Sequence, residues 1–445
     1  MGIFSSRTFP GGIHPPDHKR ETSRLAIEVC PSPPVVVLPV QQHIGAPSKP
    51  IVEKGAVVRA GDPVTESGGF VSVPVHSPIS GTVEAVESRP HPSGANVLSV
   101  VIANDGQNTL AAAYQFDPDF LQLDKKEMLQ RVQAAGIAGL GGASFPTHVK
   151  LNPPAGKTID TLILNGAECE PYLTADHRLM LEAPEKILRG MQILMKILGA
   201  TKGAVGIENN KPDAIAILRQ KAAELRLPFP IIDLHVKYPQ GAEKQLIKAL
   251  TNRRVPAGGL PMDVGCVVQN VGTAAAVFEA VAFGKPLTHR VVTVTGSGVK
   301  MPKNLLVAIG TPFSFVLEQC GGLTEDAAQV IMGGPMMGLA QAGLDAPVIK
   351  GTSGLLVLNA TEAQRRQAQT CISCAHCIDV CPMQLMPKML GQWVQHERWQ
   401  TAKEYNILDC IECGSCSFVC PAHINLVHLI KYGKFRVLQQ QKKAS

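Results

Sequence analysis

From Val35 to Ala103 the apolar residues come in short β-branched runs: Val35–Leu38, Gly69–Val73, Gly81–Val86 and Val97–Ile102, parted by Gly and Pro turns. Runs of that length with turn residues between them predict an all-β domain over residues 31–116. After Asp117 the period changes. A helical pattern over Lys125–Ala135 leads to a Gly-rich loop, a strand at Thr161–Asn165 and an amphipathic helix at Pro184–Leu198. A strand at Gly203–Glu208, a helix at Pro212–Leu225 and a strand at Ile231–Val236 follow. Strand and helix in alternation predict a Rossmann-like α/β sheet within residues 117–289. Short strands return over residues 290–360, with a helix from Pro312 to Cys320 and a Gly- and Met-rich segment, Val330–Gly338. Thr361–Gln369 reads as a helix leading into residues 361–430, where Pro387–Tyr405 again has helical spacing and carries Trp393 and Trp399 as packing residues. Residues 1–30 are interrupted by Phe9-Pro-Gly-Gly and His14-Pro-Pro and read as an ordered arm lying on another domain. Residues 431–445 read as a basic, solvated tail. The whole is a multidomain α/β plus β protein.

Composition narrows the class. Forty-two Lys and Arg against 36 Asp and Glu give a formal charge of +6, part of it in Lys431, Lys434, Arg436, Lys442 and Lys443. No aromatic-interleaved basic stripe accompanies that charge, so nucleic acid is not an expected partner. The longest apolar stretch, Ile187–Leu198, is interrupted by Arg189 and Lys196 and falls short of a membrane span. The chain is expected to be soluble or peripheral, in a reducing compartment. Met1-Gly-Ile-Phe-Ser-Ser superficially fits an acylation pattern, which is set aside. His14, Asp17 and His18 have no second ligand cluster nearby and read as part of the arm rather than a metal site.

Eight of the twelve cysteines fall in one stretch. Cys371, Cys374, Cys377 and Cys381, then Cys410, Cys413, Cys416 and Cys420, each follow C-x2-C-x2-C-x3-C-P. Three thiolates two residues apart wrap one cubane, and the fourth, followed by proline, ligates the other. Cys371, Cys374, Cys377 and Cys420 are thus expected to hold one [4Fe-4S] cluster, and Cys381, Cys410, Cys413 and Cys416 the second. Zinc sites and disulfides are the alternatives, and two complete four-cysteine runs exceed what a zinc site needs. Cys30, Cys169, Cys266 and Cys320 read as buried or semi-buried thiols.

The loop Gly136–Lys150 is the second chemical feature. Gly139, Gly141 and Gly142 let backbone approach a phosphate, and Lys150 offers a countercharge. The next strand closes on Asn165-Gly-Ala-Glu168-Cys169-Glu170, two carboxylates at the edge where open α/β sheets bind ligands.

These stretches resemble the NADH-oxidising flavoprotein subunit of respiratory complex I, whose loop G-x-G-G-A-G-F-P-x-x-x-K and strand end N-A-D-E-S-E-P surround FMN and nicotinamide. The resemblance implies that Gly139, Gly141, Gly142 and Lys150 contact FMN, that Phe145 and Glu170 line the NADH pocket, and that Asn165 hydrogen-bonds the flavin. Glu168 belongs to the same strand end. Tyr238-Pro-Gln-Gly241-Ala-Glu243 matches that family's Y-x-x-G-E-E, and Gln269-Asn270-Val271-Gly-Thr273 its N-N-V-E-T, adding Tyr238, Gly241, Glu243 and Asn270 to the candidate cofactor-binding set. Leu140, Ala167 and Ala242 stand where the family has Arg, Asp and Glu. Val52–Val64 and His76–Val83 resemble the barrel-sandwich hybrid of biotinyl and lipoyl carriers, without the lysine that carries their cofactor, and so imply a docking or structural role. Residues 290–360 resemble the soluble-ligand-binding β-grasp (SLBB) domain, and residues 361–430 read as an α-helical ferredoxin domain.

In this order the parts closely resemble the RnfC (RsxC) family, a component of the Rnf ion-translocating oxidoreductase complex. The resemblance implies NADH oxidation through FMN and single-electron passage through both clusters. It also implies integral membrane partner subunits, a ferredoxin-type carrier, and a peripheral place on the cytoplasmic side of the bacterial inner membrane. Two other readings remain open at this point: a non-catalytic relay and assembly protein, and a flavin reductase of cobalamin type.

Overall fold

The computed structural model of the chain describes residues 7–364 and 366–444. The acylation-like start at Met1 lies outside them.

Val35–Pro39, Asn96–Asn104, Gly81–Pro90 and Val57–Val58 form a four-stranded antiparallel sheet in that order, with a small ladder of Lys49–Pro50 and Thr65–Glu66 beside it. The strand expected at Gly69–Val73 is absent: this segment runs as bends. Its backbone is engaged elsewhere, because the Val71 carbonyl accepts from Ala46 N and the Phe70 carbonyl from His148 Nε2.

The second layer is a parallel sheet with strand order Ile231–Leu234, Lys202–Glu208, Thr161–Asn165, Cys266–Asn270. Chain order thus runs outward in one direction from Thr161–Asn165 and then jumps to its other side. The crevice between Thr161–Asn165 and Cys266–Asn270 is a topological switch point, where doubly wound sheets take their ligands. Helix Val271–Phe283 is apolar nearly all round, so it must be enclosed, and it lies against helix Pro184–Leu198. Gly190 makes that packing possible: a Cβ there would sit 1.9 Å from the Ala274 carbonyl oxygen.

The third layer is a six-stranded sheet in the order Ile27–Val29, Lys303–Ala308, His289–Thr295, Gly354–Asn359, Ala327–Met332, Leu339–Ala340. The end of the arm is therefore an edge strand of this sheet, pairing in parallel with Lys303–Ala308. Earlier in the arm, Ile13 pairs with Tyr238 and the His18 ring stacks on Tyr172 at 4.5 Å.

The cysteine-rich module is helical, but not as the spacing predicts. Thr361–Gln369 forms no helix in its described residues. Pro387–Tyr405 is two helices, Pro387–Gln395 and Trp399–Glu404, parted where Glu397 takes a φ of 54°, which an α-helix cannot contain. The bend turns Trp399 inward beside Leu390, Val394, Ile430 and Val437, while Trp393 packs on Tyr405. Residues expected as a solvated tail instead continue helix Leu426–Ala444, whose buried Ile430 and Val437 close this core.

Candidate functional site

The switch point brings two predicted residues side by side, since Asn165 and Asn270 are register partners at the carboxyl ends of adjacent strands. Asn270 caps helix Val271–Phe283, accepting from Gly272 N at 2.7 Å and Thr273 N at 3.2 Å, and it donates to Asp176 at 2.6 Å. Asn165 donates to the Gly241 carbonyl at 2.8 Å and accepts from Ala167 N at 3.1 Å. The Gly-rich loop folds back over this crevice. Its neck is closed by Gly139 N donating to the Phe145 carbonyl at 2.9 Å and by the pairing of Ala138 with Pro146. Leu140 N donates to Thr273 Oγ1 at 2.9 Å, which ties the loop to the first turn of the capped helix.

Gly141 and Gly142 are exposed, and Gly141 lies so close to Asn270 that a Cβ there would sit 2.8 Å from its Nδ2. Gly142 has a φ of 83° and nothing within 4 Å of where a Cβ would stand. Exposed glycine backbone is what lets a phosphate approach closely, and the space over Gly142 is what a flat ring requires. The residues present therefore fit a flavin nucleotide. Across the site Lys150 is paired with Glu243 at 2.5 Å, joining two predicted residues from distant parts of the chain.

The strand end Asn165–Leu173 is gripped from below by two buried ammonium groups. Lys211 donates to the Ala167 carbonyl at 2.7 Å. Lys19, from the arm, donates to the carbonyls of Glu168, Glu170 and Leu173 at 2.9, 2.9 and 2.5 Å. Glu168 caps helix Ala175–Glu182 by accepting from Asp176 N and His177 N. Glu170 accepts from Met336 N at 3.1 Å and Met337 N at 2.9 Å, so its carboxyl is held by the Gly- and Met-rich segment of the third layer. Burial pushes both carboxyls up, Glu168 to about 7 against the pull of Lys19 and Glu170 to about 7 against its two N–H donors. Cys169 lies between them, its sulfur accepting from Gly241 N, and burial lifts its thiol well above the usual range.

Sequence reasoning missed Lys19, Asp176 and the amides of Met336 and Met337. Lys19 stands in a Pro-rich arm where nothing local marks it as buried. Asp176 opens a helix, where an acidic residue is ordinary.

The cysteines separate into two environments. Cys381, Cys410, Cys413 and Cys416 line one enclosed, largely apolar space together with Pro382, Leu385 and Ile430. Burial raises the Cys410 thiol to about 11 and the Cys416 thiol to about 12, so only a bound cation keeps them as thiolates. The sulfurs of Cys371, Cys381 and Cys410 each accept a backbone N–H at 3.4 Å, the contact that supports a metal-bound thiolate. In the other set Cys377 is half-buried with Cys420 and Cys371 near it, and Cys374 is exposed. Among the described residues no three Cys, His, Asp or Glu side chains converge as ligands of a single ion. Four cysteines ranged round an enclosed space suit a wider, cube-shaped cluster.

The buried set faces the rest of the molecule. Tyr238 OH donates to the Cys413 carbonyl at 2.8 Å, Gln245 Nε2 to the Pro382 carbonyl at 3.1 Å, and Gly12 N to the Val380 carbonyl at 2.8 Å. The exposed set is flanked by the solvent-facing side chains of Ile372 and Phe418.

Comparisons with known proteins match this layout. Residues 7–107 match the RnfC barrel sandwich hybrid domain, 132–279 the Nuo51 FMN-binding domain, 291–340 the SLBB domain and 370–424 a 4Fe-4S dicluster domain. The C component of the Proton-translocating ferredoxin:NAD(+) oxidoreductase complex of Clostridium ljungdahlii is 48% identical over 96% of this chain and 93% of its own length. The C component of the Na(+)-translocating ferredoxin:NAD(+) oxidoreductase complex of Acetobacterium woodii is 48% identical over 98% of this chain and 99% of its own. The C component of the ion-translocating oxidoreductase complex of Rhodobacter capsulatus is 42% identical over 99% of this chain and 85% of its own. Among solved structures, an NAD+-reducing [NiFe]-hydrogenase shares the fold over 74% of this chain and 63% of the solved chain, with a TM-score of 0.51 and 21% identity.

Proposed function

Because the chain belongs to the RnfC family, the C components of ion-translocating oxidoreductase complexes, we propose that it exchanges electrons between NADH and the rest of such a complex, with its two cysteine sets acting in a fixed order. When bound, FMN would supply the exchange between a hydride pair from NADH and single electrons, and [4Fe-4S] clusters would supply one-electron carriage.

The chain's own residues supply position and field. The exposed backbone of Gly141 and Gly142 holds the nucleotide phosphate, on a loop pinned by the Leu140 N to Thr273 Oγ1 bond. Lys150, paired with Glu243, sets the charge at the opposite rim. Asn165 and Asn270 fix the two strand ends against each other. Glu168, Glu170, Tyr238 and Gly241 form the wall toward the cysteine-rich module, and Phe145 covers the mouth. Cys381, Cys410, Cys413 and Cys416 hold the inner cluster, while Cys371, Cys374, Cys377 and Cys420 hold the outer one. The observation that carries this order is the unequal burial of the two sets: Cys413 and Cys416 are buried, Cys413 against Tyr238 of the nucleotide domain, and Cys374 is exposed.

Among the described residues no helix is long and apolar enough to cross a membrane. In this reading the chain sits peripherally on the cytoplasmic face of the bacterial inner membrane, held by integral membrane subunits. The outer cluster exchanges electrons with a ferredoxin-type carrier or with those subunits.

Anaerobic NADH titration of the cluster- and FMN-reconstituted chain tests this, following flavin absorbance and the EPR of reduced clusters together. Flavin bleaching followed by cluster signals is the expected result. Clusters that dithionite reduces while NADH leaves the flavin oxidised would make the chain a relay and overturn the NADH site.

A further inference from the structure

Tyr238 is fully buried at the meeting point of three domains, and its hydroxyl has two acceptors. The Cys413 carbonyl is 2.8 Å away and a Glu170 carboxyl oxygen 3.4 Å away. Neither acceptor is free to move. Met336 N and Met337 N clamp Glu170. Cys413 is one of the four cysteines lining the inner space.

The main chain of Tyr238 is fixed as well. It exchanges both backbone hydrogen bonds with Ile13, each 2.8 Å, and the neighbouring Gly12 N donates to the Val380 carbonyl, one residue before Cys381. One tyrosine thus reaches two members of the same cysteine set, one through its hydroxyl and one through the arm. It does so from the wall of the nucleotide site, with Ile13, Cys413, Met336 and Val380 in one apolar cluster around it.

We propose that Tyr238 is a positioning residue for electron transfer, its hydroxyl joining the nucleotide-site carboxyl of Glu170 to the backbone of an inner-cluster ligand. The inference rests on the reading that Cys381, Cys410, Cys413 and Cys416 hold a cluster. The hydroxyl does two things. It fixes the separation between the nucleotide domain and the inner cluster at Cys413 itself, where the surrounding side chains of Ile13, Met336 and Val380 are apolar and adaptable. It also draws electron density from the Cys413 peptide, and such dipoles beside a ligand favour the reduced, more negative cluster.

Tyr238→Phe keeps the ring and its packing and removes only the hydroxyl. In the full-length, reconstituted chain, with iron and flavin content matched to wild type, EPR-monitored redox titration resolves the two clusters. The expected result is a lower potential at one cluster only, by about a tenfold change in its reduction equilibrium, or 59 mV for one electron. Cluster reduction by NADH should also lag about tenfold further behind flavin bleaching than in wild type. Unchanged potentials with unchanged lag would overturn the proposal, and so would equal shifts at both clusters, which would mean general loosening. Wild-type chain that assembles only the outer cluster would instead bring down the site reading beneath the proposal, and the Cys413→Ala chain, then indistinguishable from wild type, identifies that case.

Discussion

At the scale of single residues, the site is built from buried charge whose partners are backbone groups. Lys19 and Lys211 donate to carbonyls of one strand end, and Glu168 and Glu170 accept amides from two different layers. Such groups are costly to bury and hold position only while every bond is made. Glu170 shows the consequence in pH. Its ordinary value near 4.5 is raised by burial to about 7 in the folded chain. Below 4.5 the group is protonated whether the chain is folded or not, and its contribution is fully present. Between 4.5 and 7 the unfolded chain ionises first, so stability falls as pH rises, by up to about 3 kcal/mol for this one group. Melting curves of wild type and Glu170→Gln at several pH values should converge toward the acid end. The wild type should lose ground to the variant as pH rises to 7; parallel profiles would show that Glu170 titrates normally. Lys150 and Glu243 could be picked out from sequence because each lies in a motif. Lys19 could not, because a lysine among prolines is normally solvated.

At the scale of elements, the working part is a loop laid over a helix N-terminus. Alternating patterns revealed three of the four strands of the parallel sheet and the helices Pro184–Leu198 and Pro212–Glu224, while strand Cys266–Asn270 and helix Val271–Phe283 went unread. Asn270 was picked out only through its motif, and its role as the cap of Val271–Phe283 emerged with the structure. Four predictions misled, among them the helix expected at Thr361–Gln369 and the solvated tail at 431–445. Pro387–Tyr405 has helical composition throughout, and only the packing of Trp399 against Leu426–Ala444 selects the left-handed turn at Glu397. Gly69–Val73 has strand composition, but docking on His148 takes its carbonyl away from any ladder. The Gly-rich loop is where a substitution separates the two chemistries. Gly142→Trp puts a large side chain at a φ of 83°, a strain of roughly 1–2 kcal/mol, into the open space of the cradle. Purified and reconstituted protein should lack bound flavin while keeping full iron content and both cluster signals; loss of both cofactors from a folded chain would show that the modules are not independent.

At the scale of the whole molecule, the arm and the cysteine-rich module lock the layers together. The arm pairs with Tyr238, touches Val380, grips the strand end through Lys19 and finishes as an edge strand of the third sheet. The two cysteine sets consequently differ in what surrounds them, and Cys374→Ala should expose that difference. Iron should fall by about half or the outer cluster convert to a three-iron form, while flavin binding and the inner cluster's EPR signal persist. Loss of the inner signal instead would reverse the order of the sets.

The amino-acid sequence determined the two four-cysteine runs, the strand and helix alternation and the Gly-rich loop, because each is written in residues close together and governed by local geometry. Cysteines spaced two and three apart wrap a cubane in any context, and an alternating pattern needs only its own neighbours. The tertiary structure alone decided which cysteines are buried and which exposed, that Glu170 is clamped by Met336 and Met337, and that Tyr238 touches Cys413. A buried polar group takes whichever partner the packing of remote segments brings within about 3 Å, and no local pattern records a partner 166 or 175 residues away.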